Sequence, residues 1–382
     1  MTTRYAIVGA GMMGGEHMRN IALLPDCAVT AIVEPDAAMR EAACAVAQDL
    51  FGARPQVFAS HRELADVDAI VVAAPNHRHV DIMRDLLATD LPILCEKPLG
   101  LDANEVLELD ARARGRSAPV WVAMEYRYMA PVARLIEAVR AQDKGRLASL
   151  AIREHRFPFL PKVGDWNRFR RNTGGTLVEK CCHFFDLMRL VIGAEPVRVY
   201  ASGGCDVNHL DERYDGHVPD IIDNALAIVD FEARDGRGGV RASLDLCMFA
   251  EGSRWQEIVT ATCAQGQIAA LMPGPQRFDP HGEARAPEFR VTDRATKFEE
   301  RQSMPVPADV LAAGDHQGST FEQHRRFLRC VREGTAPEVS LADGAIAVIV
   351  GAAAEESVRS GQAIDLRPRL AAFHEGRFAH AG

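Results

Sequence analysis

Several features that would point to a function at once are missing from this chain of 382 residues. No run approaches the roughly 18 consecutive apolar residues of a membrane span, so no membrane partner is expected. Behind Met1-Thr2-Thr3-Arg4 there is no long apolar segment and no small-residue cleavage site. A secretory signal is therefore not expected, and the cytoplasm is the expected compartment. The nine cysteines are odd in number and scattered, which excludes a disulfide framework and fits reduced thiols. A positive surplus is lacking too. The net charge of -9 argues against general affinity for nucleic acid or an acidic membrane surface. No internal repeat or low-complexity linker interrupts the chain. What remains is 47% hydrophobic and 25% charged, an ordinary globular balance with length enough for two domains.

The first third alternates short apolar runs with helical patterns. "RYAIVGAG", "AVTAIVEPD", "AIVVAAP" and "PILCEKP" read as buried strands, and "GGEHMRNIALL" and "AAMREAACAVAQDL" as helices. That rhythm predicts an α/β, doubly wound parallel sheet over residues 1–124. Beyond "PVWVAMEYRYMAP" the pattern changes. "LASLAIREHRF", "ALAIVDFEA", "VRASLDLCMF" and "IVTATCAQGQIAAL" suggest a second domain, 125–382, built on a mostly antiparallel sheet. The stretch "MPGPQRFDPHGEARAPE" reads as a surface excursion.

Gly9-Ala10-Gly11-Met12-Met13-Gly14 follows an apolar strand and opens a helix, the context a G-x-G-x-x-G motif needs to bind a dinucleotide. The glycines permit a tight turn and close backbone approach, and the helix start at Met12 and Met13 offers free N–H groups to a pyrophosphate. Glu34 ends the second strand, where a carboxylate accepts hydrogen bonds from ribose hydroxyls and repels a 2′-phosphate. NAD is thus the expected cofactor. The next strand ends lie at the same cleft. Ala74-Pro75-Asn76 is expected beside the ribose and nicotinamide, with His77 and His79 structural or on the cofactor side. Glu96 and Lys97 place a charged pair at the end of an apolar strand. Lys97 is a candidate proton donor, with a pKa that desolvation would lower.

Together with "GGTLVEKCCHFFDL" (174–187), these motifs resemble the Gfo/Idh/MocA family of sugar and inositol dehydrogenases. The resemblance implies a Rossmann domain followed by an α/β domain whose large open sheet forms oligomer interfaces, here as a homodimer or homotetramer. It also implies NAD(P)-dependent oxidation or reduction at a carbohydrate carbon, with Lys97 as the catalytic lysine of the "EKP" motif. The family's aspartate and histidine, four residues apart, correspond to Glu179 and His183, the glutamate being a departure from the pattern. The resemblance also lays the loop containing Trp166 over the nicotinamide.

The residues themselves predict a helix from Gly174-Gly175 to about Val191. Glu179, His183 and Asp186 then share one face, with the Glu179 carboxylate setting the tautomer of His183 and Asp186 in support. Cys181 reads as a core residue; Cys182 packs beside the site or lines it. The two thiols diverge by about 100° on a helix, and no second Cys/His cluster joins them, so no metal is expected. Tyr126, Arg127, Trp166, Arg168 and Asn172 are candidates for substrate binding, although Tyr126 and Arg127 equally fit the polar end of a strand. Arg168 in "WNRFRRN" is the candidate to fork onto an acidic group of the substrate, the alternative being a solvated strand edge and loop whose charges pair with Glu154, Asp165 and their neighbours. The expected activity is oxidoreduction of a sugar, polyol or sugar derivative. NAD-dependent glycoside cleavage through transient oxidation and a non-catalytic NAD-binding sensor are the alternatives.

Overall fold

A computed structural model describes residues 2–233, 238–279 and 281–378. Six strands form the first sheet: β1 (Thr3–Val8), β2 (Cys27–Val33), β3 (Gln56–Phe58), β4 (Ala69–Val72), β5 (Ile93–Cys95) and β6 (Val120–Val122). All pair in parallel, in the order β3-β2-β1-β4-β5-β6. Tyr5, Ala6 and Ile7 of β1 are fully buried, as are Ala69 to Val72 of β4. Helices cover both faces, which is why these strands are continuous apolar runs rather than alternating ones. The order reverses between β1 and β4, and ligands of such sheets bind beyond the strand ends at that switch.

The second sheet contains β7 (Leu147–His155), β8 (Pro196–Gly204), β9 (Asn224–Phe231), β10 (Arg241–Cys247), β11 (Glu257–Cys263), β12 (Gly266–Met272), β13 (Glu288–Asp293), β14 (Glu299–Ser303) and β15 (Ile364–Asp365). Its order is β14-β13-β12-β11-β7-β10-β9-β8-β15. Only β7 and β10 run parallel; the other pairs are antiparallel. Inward side chains of β9 alternate with exposed ones. The inner face carries the helices Ala130–Arg140, Cys182–Ile192 and Leu341–Ser360. On the outer face Tyr200, Leu226 and Ile228 are exposed, and Tyr200 pairs with Ile228.

The excursion after β12 runs over the surface, with Gln276 and Arg277 exposed, and lacks regular structure apart from the turn Gln276–Phe278; Phe278 stacks on Phe157 at 3.9 Å between ring centroids, and Pro280 lies outside the described residues. One local expectation needs revision. The helix expected from 174 to 191 is broken into Thr176–Glu179 and Cys182–Ile192. Past β14 the chain returns to the first sheet. Phe327, in the helix Ser319–Glu333, meets Trp121 of β6 edge to face at 6.1 Å. Among the described residues no helix is long and apolar enough to cross a membrane.

Candidate active site

β1 delivers Gly9 with φ +96°, where a Cβ would lie 2.5 Å from the Ala74 nitrogen. A Cβ on Gly14 would lie 2.2 Å from the Gly9 carbonyl oxygen, so these two glycines let strand, turn and helix close up. Gly11 differs: its Cβ position has no atom within 4 Å. The helix Met12–Ala22 starts there with no side chain capping it, leaving its first N–H groups to the open side. Glu34, at the end of β2, accepts from the Ala10 N–H at 3.0 Å and the Asp36 N–H at 3.1 Å.

A cavity of about 860 Å³ spans the ends of β2, β1, β4 and β5. Gly9, Gly11, Met12, Met13 and Glu34 line it, as do Ala74, Pro75, Asn76, His79, Glu96, Lys97, Trp166 and Glu179. Gly14 lies behind the wall. Asn76 Nδ2 is buried with no partner among the described residues. His79 braces two loops of the cleft, with ring nitrogens 2.8 Å from the Pro98 carbonyl and 2.9 Å from that of Ala74.

The far wall comes from the second domain. Gly164 (φ 67°) and Asp165 (φ 48°) are both left-handed, and the kink they make presents Trp166 to the cavity. Trp166 meets His77 at 5.9 Å, a contact that straps this turn to the first domain. Asn172 donates to the Trp166 carbonyl at 3.0 Å. Lys162 also lines the cavity.

Three candidate substrate residues are committed elsewhere. Arg168 is buried, donating to Glu212 at 2.9 Å and to Asn167 at 3.3 Å, so its guanidinium grips the 205–220 segment and not the cavity. Arg127 is a bidentate partner of Asp186, with Nε to Oδ2 at 2.6 Å, and also donates to the Glu338 carbonyl at 3.0 Å. Asn172 is the brace behind Trp166. Tyr126 does not line the cavity either; it supports His183.

The charges around Lys97 set what the site can do. Burial works against the Lys97 ammonium, but Cys182, Glu96, Glu179 and Glu125 around it prevail, and its pKa sits above the ordinary value. This corrects the expectation of a lowered value: Lys97 is a cation. Cys182 is itself a thiol, pushed up to about 12 by burial, so the carboxyl groups hold that charge. Burial would also raise the Glu96 carboxyl, but His17, 3.0 Å away, and Lys97 bring it below the ordinary value. Burial lifts Glu179 to about 7 against the pull of Lys97, Lys162, Arg156 and Arg168. Glu179 Oε2 has no hydrogen-bond partner among the described residues. A buried carboxyl that titrates near neutrality beside an ammonium, in a cavity wall, is equipped for proton transfer.

The helix break explains this juxtaposition. Among the described residues the Glu179 carbonyl receives no helical N–H. It accepts instead from Lys97 Nζ at 3.1 Å and from the Cys182 thiol at 3.6 Å. Past the break, His183 does not contact the Glu179 carboxyl. Its ring stacks on Tyr126 (4.1 Å, 5°), and Nε2 lies 3.6 Å from Glu125 Oε1. Burial, then Lys97, Lys180, His316 and Arg156, keep the imidazole neutral. His183 is 2% exposed and lies behind the cavity wall. Glu125 and Lys162 were passed over in the sequence. The strand-end logic that selects Glu96 applies to Glu125, which follows β6, whereas only the fold places Lys162.

Two family models match the chain. One is described as the oxidoreductase family, NAD-binding Rossmann fold, over residues 3–124; the other is the oxidoreductase family, C-terminal alpha/beta domain, over residues 136–366. The rhizopine catabolism protein MocA of Rhizobium meliloti is 30% identical over 202 residues, 50% of this chain. The inositol 2-dehydrogenase of Pseudarthrobacter chlorophenolicus is 32% identical over 209 residues, 53% of this chain. Both matches span 58% of the relative's own length. The myo-inositol 2-dehydrogenase of Thermotoga maritima is 23% identical over 365 residues, covering 95% of this chain and 98% of that one. Levoglucosan dehydrogenase, solved with NADH and L-sorbose, shares the fold at a TM-score of 0.78 and 19% identity, over 95% of this chain and 98% of that one.

Proposed function

The chain belongs to the Gfo/Idh/MocA oxidoreductase family, and from that premise we propose that it is an NAD-dependent dehydrogenase acting on a hydroxyl-bearing carbon of a sugar, polyol or sugar derivative. The observation that carries this reading is a single cavity with phosphate-binding glycines on one side and Lys97 with Glu179 on the other. The residues suit NAD: Gly11 leaves an open cradle, Asn76 Nδ2 lacks a partner among the described residues, and the Glu34 carboxylate stands where ribose hydroxyls are read. NAD, when bound, supplies the hydride acceptor.

The protein's own groups manage the hydroxyl. The Lys97 ammonium donates to the substrate oxygen and stabilises the negative charge that grows there. Glu179, part ionised near neutrality, takes up the proton that leaves, with the neutral imidazole of His183 behind the cavity wall as a further acceptor. Trp166 covers the reacting groups and limits water. Oxidation of a panel of sugars and polyols, followed through NADH absorbance, tests the reading. At least one substrate is expected to reduce NAD at a rate that Lys97→Met lowers by about 10²-fold or more. If no member of the panel is oxidised, or the rate is indifferent to Lys97, the proposal fails.

A second copy of the chain is the proposed cover for the outer face of the large sheet, where Tyr200, Leu226 and Ile228 lie side by side in the open. A homodimer or homotetramer would follow from that pairing, and the cytoplasm is the proposed compartment.

A further inference from the structure

The dehydrogenase proposal, on which this inference rests, leaves the orientation of His183 unassigned. A single turn, Glu125–Tyr128, addresses the His183 segment with three consecutive side chains. Glu125 approaches the edge of the imidazole, with Oε1 3.6 Å from Nε2. Tyr126 stacks on the ring face at 4.1 Å and hydrogen-bonds Lys180. Arg127 pairs with Asp186, one turn further along the same helix. The turn is itself tied down from behind, where Arg127 donates to the Glu338 carbonyl at 3.0 Å and Tyr128 to the Glu338 carboxylate at 3.3 Å. Glu125 and His183 are each 2% exposed. His183 Nδ1 and Glu125 Oε2 are buried without hydrogen-bond partners among the described residues.

We propose that Glu125, and not Glu179, is the positioning residue of His183: its carboxyl faces Nε2, keeps a proton there, and leaves Nδ1 as the bare nitrogen that can take up a proton. In the oxidative direction the hydroxyl O–H bond breaks, its proton is received first at the cavity wall, and where it passes on to His183 an Nδ1–H bond forms; NAD, when bound, would take the hydride. The Nε2–H stays, and Glu125 balances the imidazolium. The separation of 3.6 Å is longer than a hydrogen bond, a gap that catalytic pairs commonly show before substrate binds. Burial and the neighbouring Glu96 lift Glu125 to about 7 against His316 and Lys97, so above neutrality it presents the carboxylate that holds the Nε2–H. Lys97 and Lys180, with His316 and Arg156, face the imidazole from the other elements and oppose its charging. The Glu125 carboxylate is the counter-charge the structure sets beside Nε2. Glu179 is thereby released to face the cavity.

The tautomer decides the matter. In wild-type protein with ¹⁵N-labelled histidine, long-range ¹H–¹⁵N correlations, with His183 assigned through His183→Asn, are expected to show the proton on Nε2 and a bare Nδ1. Glu125→Gln is expected to alter those signals and to lower kcat about 10–100-fold with NAD binding unchanged, and Glu125→Asp to restore part of the rate. Glu179→Gln is expected to leave the His183 signals in place. A wild-type ring protonated on Nδ1, or a His183 spectrum unmoved in Glu125→Gln, overturns the assignment. The wild-type spectrum suffices if Glu125→Gln does not fold. Because it is recorded without turnover, it separates the failure of this assignment from the failure of the dehydrogenase proposal.

Discussion

Glu179→Gln is expected to make the protein slower and more stable, with a gain in stability that depends on pH. The substitution keeps the size of the side chain and removes its ionisation. Burial raises the Glu179 carboxyl from its ordinary 4.5 to about 7. At about 1.4 kcal/mol per unit, a difference of roughly 2.5 units is on the order of 3 kcal/mol against the ionised form in the folded protein. The sign follows from proton binding. Between pH 4.5 and 7 the folded protein holds this proton more tightly than the unfolded chain, so the stability it contributes is full below 4.5 and is lost as pH rises through 7. The glutamine has nothing to lose over that window. The difference in Tm, variant minus wild type, is therefore expected to be small near pH 5 and to grow to several degrees by pH 8. Glu125 and Glu257, both lifted to about 7, titrate in both proteins and largely cancel. Thermal melts across this range measure the effect, and kcat on the same samples is expected to fall by about 10²-fold. A difference in Tm that stays flat with pH, or a variant less stable at pH 8, would refute the reasoning. Gained stability with lost turnover marks a group kept for chemistry rather than for folding.

Three further outcomes follow from the geometry. Lys97→Met is expected to lower kcat by about 10²-fold or more and to leave NAD affinity nearly unchanged, checked by steady-state kinetics beside fluorescence titration. Wild-type protein is expected to bind NAD more tightly than NADP, and Glu34→Ala to narrow that preference; tighter NADP binding by the wild type would remove Glu34 from its role. Leu226→Glu combined with Ile228→Lys is expected to reduce the assembly to a single chain in sedimentation, with little change in the fold, because both side chains are exposed; an unchanged sedimentation coefficient would place the contact elsewhere.

The first sheet was legible because its strands are buried on both faces, and burial leaves a continuous apolar signature: β1, β2, β4 and β5 follow the apolar runs directly. The glycine turn and Glu34 were legible for a related reason, since a tight turn and a strand-end carboxylate are local requirements. The break after Glu179 was not. At the break the Glu179 carbonyl accepts from the ammonium of Lys97, 82 residues away in sequence, a partner that local patterning does not reveal. With the helix assumed intact, Glu179 and His183 share a face; with it broken they part. The partners of Arg127 and Arg168 were out of reach in the same way: pairing with nearby carboxylates could be expected, but only folding identifies them as Asp186 and Glu212. Charged residues in a row announce chemistry, but only long-range contacts reveal which of them are already paired.

The return of the chain to the first sheet also orders events during synthesis. Val122 donates its N–H to the Val339 carbonyl at 3.2 Å, and Gly344 lies so close to β6 that a Cβ there would come within 2.8 Å of Val122. Trp121 needs Phe327, and His17 needs His324 at 2.7 Å. When β6 leaves the ribosome none of these partners exists. At about 5–20 residues per second, the roughly 200 residues that separate β6 from them take on the order of 10 to 40 seconds to make. Throughout that interval one flank of the nascent nucleotide-binding sheet stays bare, with a tryptophan at its edge. The first domain to be translated is thus among the last to be finished, and a chaperone that shields β6 would serve the protein at that stage, whereas one that acts after release would come too late.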